Sequence, residues 1–253
     1  MKKNFKLYGI IIFVVAIVIL SISVTNFQKQ STLLREEVYD KCEMIALELK
    51  HTREYLAETM AIANMEHNEA TRLLMPAIAG NEIGKKFYNA TGYRLKQVSS
   101  KYRNPKNRPD KFEEKALAEF ENDKSLSEYK GVDEIESKKV LRYLIPLHIE
   151  EACLKCHSAK ETVPGFIQEN YPEDKATDYT FGDLRGAISV AVPIDRAEAE
   201  IKGNLIHMTI VTTVGMVFLV TFVFIAMNIT IKRKEEGFSR KDAKTQSQRD
   251  NTS

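Results

Sequence analysis

The apolar residues of this chain gather into two long runs before they show any periodicity. No Asp, Glu, Lys or Arg lies between Leu7 and Gln28, a run of 22 residues, or between Gly203 and Ile231, a run of 29. At about 1.5 Å per residue, a helix of either run spans a hydrocarbon core of about 30 Å. The pattern predicts a stub at 1–6, a first transmembrane helix at 7–28, and a domain at 29–202. A second transmembrane helix at 203–231 and a tail at 232–253 follow. The first run is read as an uncleaved anchor. Leu7–Val24 is long for the apolar part of a signal peptide, and no A-x-A-like site follows it.

Between the runs the periodicity changes along the chain. Val38, Cys42, Ile45, Leu49, Thr52, Leu56 and Ala63 follow a 4-3 spacing with Thr59 in the gap, which is a heptad seam. The opposite face carries Arg35, Glu36, Glu37, Asp40, Glu48, Lys50 and Arg53. This predicts a long helix leading outward from the first span and breaking at Pro76–Gly80. The two threonines weaken the seam, and pairing with a second copy is left open. Gly92–Tyr102 alternates in part, Arg103–Asp110 reads as a loop with two prolines, and Lys111–Lys124 reads as a helix. Two clearer strands follow. Leu141, Tyr143, Ile145 and Leu147 share one face of Val140–Ile149, and Ile188, Val190, Val192 and Ile194 share one face of Gly186–Ile194. Asp195 is placed to cap a helix over Arg196–Lys202 that runs into the second span. The order predicts an α+β fold with an antiparallel sheet and a long N-terminal helix.

Charge orients the chain. The stub carries Lys2, Lys3 and Lys6 and no acid, so +3; the tail has seven bases and four acids, also +3. That leaves 27 bases and 31 acids between them, so −4. Basic flanks stay in the cytoplasm, which puts both termini inside and the domain outside a bacterial inner (cytoplasmic) membrane, in the periplasm or beyond. The cluster Lys232, Arg233, Lys234 is a lipid-facing stop-transfer signal and not a nucleic-acid site.

The chemistry concentrates in Cys153-Leu154-Lys155-Cys156-His157. C-x-x-C-H is the attachment motif of c-type haem: two thiols reach the two vinyl groups, and the adjacent histidine lies under the iron. In a composition with three cysteines and five histidines, the string arises by chance roughly once in a thousand shuffles. A thioredoxin-like pair leaves the histidine unexplained, and a zinc site needs two more ligands that no second motif offers. A disulfide across a two-residue spacer is strained and leaves Cys42 over. One covalent haem c, bound through Cys153 and Cys156 with His157 as proximal iron ligand, is the reading. Attachment outside the cytoplasm agrees with the charge argument.

The segment Gly92–Ile194 resembles the membrane-tethered c-haem sensor domains of the Tll0287-like family. The resemblance is carried by Tyr102-Arg103-Asn104-Pro105 with Asn107 and Pro109, by CLKCH, and by Pro164 and Tyr171-Pro172. Phe181-Gly182-Asp183-Leu184-Arg185-Gly186-Ala187, Ser189-Val190 and Pro193 complete it. It implies a PAS-like fold, one haem and a sensory role, often with a kinase or chemoreceptor output. It also implies that Arg103 contacts a propionate. Two departures stand out. Where some members carry a distal cysteine, this chain reads Thr71-Arg72-Leu73-Leu74-Met75-Pro76-Ala77. Met75 becomes the candidate distal ligand, with His67, Cys42 or an exchangeable position as alternatives. The 22-residue tail has no room for an output domain, so a separate cytoplasmic protein would read the signal.

The functional expectation is a membrane-anchored haem sensor of redox state or of a small gaseous ligand, signalling inward. The alternative is a single-haem electron-transfer cytochrome with a redox partner. No paired carboxylates, nucleophile elbow or phosphate loop suggests an enzyme.

Overall fold

The computed structural model describes residues 2–250; Met1 and residues 251–253, the ends of the stub and tail, lie outside the described residues. Ten principal elements follow in order: α1 (Lys2–Ile62), α2 (Pro76–Thr91), β1 (Arg94–Val98), α3 (Lys111–Asn122), β2 (Tyr129–Ile135), β3 (Lys138–His148), α4 (Glu151–His157), α5 (Gly165–Asn170), β4 (Leu184–Pro193) and α6 (Asp195–Asp250). The fold is α+β, with one antiparallel sheet in the order β1-β4-β3-β2 and a long N-terminal helix. Two compact units emerge, residues 31–199 and the pair of segments 1–30 and 200–253.

In the first unit the sheet is covered on both faces. Leu141, Tyr143, Ile145, Ile188, Val190, Val192 and Ile194 form one face, as their alternation predicts, and pack against Val38, Cys42, Ala46 and Leu49 of α1. The heptad seam therefore serves a sheet and not a second helix. Its register shifts to Ala46, and Ala63 falls beyond the end of α1, exposed. The other face, Val98, Leu144 and Ala187, meets Ala116, Leu117 and Phe120 of α3. Asp110 begins α3 with a capping box, accepting from Glu113 N–H while the Glu113 side chain accepts from Asp110 N–H.

Two elements depart from the sequence pattern. The first is α2: Pro76 does not break a helix but starts one, at the position where its missing N–H costs nothing. Gly92, at φ 75°, ends it. A Cβ at Gly84 would overlap the Leu95 carbonyl oxygen, so only glycine lets α2 lie this close to β1. The second is β2, an edge strand with half-exposed alternation and with Gly131, Asp133 and Glu134 in it, all poor strand formers. It pairs with β3 through a two-residue turn, Glu136-Ser137, with φ of 52° and 60°. β1 is shorter than the Gly92–Tyr102 pattern suggested.

Arg142 of β3 is 2 % exposed and sits beneath α3. It donates to Asp110 Oδ2 at 3.0 Å, Asp133 Oδ2 at 3.1 Å, Glu113 Oε1 at 2.9 Å and Ser189 Oγ at 3.3 Å. Lys96 holds the other oxygen of the buried Glu113 at 3.0 Å. The cluster ties β1, β2, β3 and β4 to the helix start.

In the second unit, Ser23 Oγ and Thr209 Oγ1 share a hydrogen bond of 3.1 Å. Among the described residues two helices are long and apolar enough to cross a membrane by length and composition, within Phe13–Ile62 at a mean hydropathy of 1.4 and over Lys202–Thr230 at 2.5.

The buried cluster yields a stability prediction. Arg142→Met leaves the buried Glu113 carboxylate with Lys96 as its remaining cation, at a cost of about 3 kcal/mol. Urea unfolding followed by circular dichroism should show a lower midpoint with an unchanged slope.

Candidate functional site

Cys153, Cys156 and His157 lie on α4, which directly follows β3. A seven-residue helix is too short to hold itself and has no fully buried residue. It is held from outside by the segment 174–179. Tyr179 N–H donates to the His157 carbonyl at 3.1 Å and Asp178 N–H to the Ser158 carbonyl at 2.9 Å, satisfying its C-terminal end. Cys153 and Leu154 pack on a small apolar cluster of Ile149, Ala176 and Tyr179.

His157 is fixed at one nitrogen. Its Nδ1 lies 2.7 Å from the Ala176 carbonyl oxygen, which can only accept, so Nδ1 carries the proton and Nε2 keeps its lone pair. Burial first, then the charges of Arg185 and Arg103, hold the imidazole well below its ordinary range, despite the Ala176 bond. A neutral ring with a free Nε2 and an oriented Nδ1 is the form in which histidine binds iron. Tyr179 stands edge-on to it, with ring centroids 6.1 Å apart.

All three thiols are free. Cys153 and Cys156 are half-buried, three residues apart on one side of α4. Burial raises the Cys156 thiol, against the pull of Arg103. Among the described residues no group of three or more His, Cys, Asp and Glu side chains is gathered to hold a bare metal ion. Two free thiols and one neutral imidazole thus stand together on one short helix.

Arg103 does reach the motif, though as a clamp. Its Nε donates to Asp174 Oδ2 at 2.7 Å and its Nη2 to the Cys156 carbonyl at 2.6 Å. Asp174 Oδ1 in turn accepts from Ala176 N–H at 2.8 Å. One ion pair thus fixes both the helix and the carbonyl that orients His157.

The distal candidates fall in different places. Met75 is 7 % exposed at the start of α2, outside the three apolar clusters. Cys42 is fully buried in the sheet core, where burial pushes its thiol up to about 12. His67 lies within the field of Lys155, the middle of the motif; burial and then that charge lower its imidazole.

Two arginines escaped the sequence reading. Arg53 was placed on the solvated face of α1, yet it is half-buried and interacts with Cys153 and Arg185. Its four-residue step from Leu49, in line with Cys42 and Ala46, was the available signal. Arg185 stood in the motif FGDLRGA without a role. Its Nη1 donates to Ser99 Oγ at 2.8 Å.

A model of the Tll0287-like family matches residues 28–193. The chain belongs to the Tll0287-like family. Its fold also resembles the crystal structure of the cyanobacterial heme-protein Tll0287, with 33 % sequence identity and a TM-score of 0.52, covering 62 % of this chain and 95 % of that one. No curated protein matches it. The matched range takes in α1 from residue 28 onward, the sheet and the CLKCH segment, and so covers every residue of the site just described.

The clamp can be tested directly. Arg103→Met leaves Asp174, whose side chain is 6 % exposed, without its cation. Unfolding of the variant should show a loss of about 3 kcal/mol. Arg103→Lys should recover only part of it, since one ammonium cannot reproduce the forked pair of bonds.

Proposed function

We propose that this protein is a membrane-anchored c-type haem protein of the Tll0287-like family, with one haem held covalently by Cys153 and Cys156 and ligated by His157. The observation that carries the reading is the fixed tautomer of His157 beside two free thiols on one short helix. The heme protein named among its structural relatives supports it. In this reading residues 29–202 form a PAS-like domain outside the cytoplasm. The apolar runs 7–28 and 203–231 cross the membrane, and both termini lie inside. The bound group supplies a one-electron iron couple and an axial position for a distal ligand. The chain itself orients the proximal imidazole through Ala176, anchors the porphyrin through two sulfurs, and surrounds it with cationic side chains. Met75 or His67 would supply a distal ligand, or that position would be left to an exchangeable gas.

The role is sensing rather than catalysis. α1 joins the first apolar run to the helix bearing Arg53, and β4, which begins at Leu184 beside Arg185, passes into α6 and the second run. A change at the iron therefore acts on groups borne by elements continuous with both spans. A cytoplasmic protein reads the result, which requires two arrangements that bind the two haem states differently.

Attachment is the first test. Haem should survive acid-acetone extraction of the purified protein and give a c-type pyridine haemochrome, and Cys153→Ala with Cys156→Ala should abolish both. A b-type spectrum in the wild type would overturn the assignment.

Signalling is the second. Spin labels at Lys29 and Lys202 should report different separations in the oxidised and reduced protein, by about 1–2 Å for helix-based switching. Identical distributions on full reduction would favour an electron-transfer cytochrome.

A further inference from the structure

One residue meets His157 through both its backbone and its ring. The Tyr179 N–H donates to the His157 carbonyl oxygen at 3.1 Å. The Tyr179 ring stands at 87° to the imidazole, with centroids 6.1 Å apart. That is the edge-to-face arrangement that aromatic pairs favour, and it holds two planes at a fixed angle. Tyr179 is 7 % exposed and belongs to the cluster with Ile149 and Ala176 against which Cys153 and Leu154 pack.

The imidazole needs such a neighbour. His157 is the last residue of α4, at a helix end, where order is weakest. The contact of Nδ1 with the Ala176 carbonyl oxygen selects the tautomer. A carbonyl oxygen accepts over a broad range of directions, so this one bond leaves the plane of the ring loosely set. A flat side chain packed at right angles to it removes that freedom.

The Tyr179 ring is itself held. It lines a cavity of about 470 Å³ beside α3 and the start of β4, so apolar packing does not enclose it fully. There the Lys101 ammonium lies 4.9 Å and the Arg185 guanidinium 5.5 Å from the ring centroid, both within cation–π range. These cations have their own partners. Asp183 lies in the field of Lys101 and Asp174 in that of Arg185. Arg185 also donates to Ser99 Oγ at 2.8 Å and to the Lys101 carbonyl at 3.3 Å. Tied in this way, the two cations are fixed props for the ring.

We propose that Tyr179 is the positioning residue that sets the plane of the axial imidazole, with Lys101 and Arg185 holding its ring for that task. This rests on the haem assignment above, and Tyr179 acts only through His157. The plane of an axial imidazole decides how the unpaired spin of ferric iron spreads over the porphyrin. It can therefore be read separately from stability.

The test uses the full-length, haem-loaded protein in detergent, oxidised and with cyanide added, so that every variant carries the same distal ligand. Pyridine haemochrome first establishes the covalent haem; a wild type without it defeats the assignment itself, and the role of Tyr179 with it. In loaded protein, proton NMR reads the haem methyl resonances that the unpaired spin shifts. The wild type should spread them widely. Tyr179→Leu should narrow the spread, because the imidazole then samples several planes. Tyr179→Phe keeps the ring and should keep the wild-type pattern. If Tyr179 were merely structural, Tyr179→Leu would lower the unfolding midpoint and leave the methyl pattern unchanged, and that result would overturn the proposal. So would a Tyr179→Phe pattern altered as far as that of Tyr179→Leu, since the hydroxyl would then be the determinant. If Tyr179→Leu fails to load haem, Lys101→Gln decides: it should narrow the spread in part, and an unchanged pattern would overturn the proposal.

Discussion

The CLKCH helix, α4, depends on strands and loops that are remote from it in sequence. α4 has seven residues and no fully buried side chain, so nothing internal selects its position. The Arg103–Asp174 pair, at 2.7 Å and largely shielded from water, joins the segment before α3 to the segment before β4. It holds the Cys156 carbonyl with its second arm. Asp174 fixes Ala176, and Ala176 fixes His157. The imidazole's orientation is therefore inherited through three contacts from one ion pair, whose charges lie in a low-dielectric setting that makes the geometry stiff.

That dependence explains how much of the molecule could be read from the sequence. The inward-facing sets of β3 and β4 were legible because alternation reports burial directly. The helix over Lys111–Asn122 was legible from its composition. CLKCH was legible because cysteine is rare here and the spacing has a chemical meaning. β2 was not, since an edge strand with glycine and acids carries half the hydrophobic signal. α2 was hidden by Pro76 and by glycines that read as breakers and act as contact points. Arg53 and Arg185 were invisible as a pair because no local pattern encodes which distant cations will meet.

The sheet lies between α1 and α3, and these two cover layers differ in chemistry. The α1 side is apolar, with Cys42 as a small hydrophobe deep inside it. The α3 side holds the Arg142 cluster, where one guanidinium meets three carboxylates and a hydroxyl. The apolar side contributes most of the burial free energy, and the ionic side fixes which helix start meets which strand.

The two borders of the sheet are also unequal. Beyond β1 lies α2, packed so closely that a methyl group would not fit at Gly84. Among the described residues no further strand lies beyond β2, and its free backbone groups are available to any extended chain nearby. Lys130, Asp133 and Glu134 place both signs of charge along that border, and the Glu136-Ser137 turn ends it after seven residues. A foreign strand docking there would have to match an alternating charge pattern over a short length. The border that is least regular in sequence is thus the one that protects the domain from joining its neighbours into fibrils.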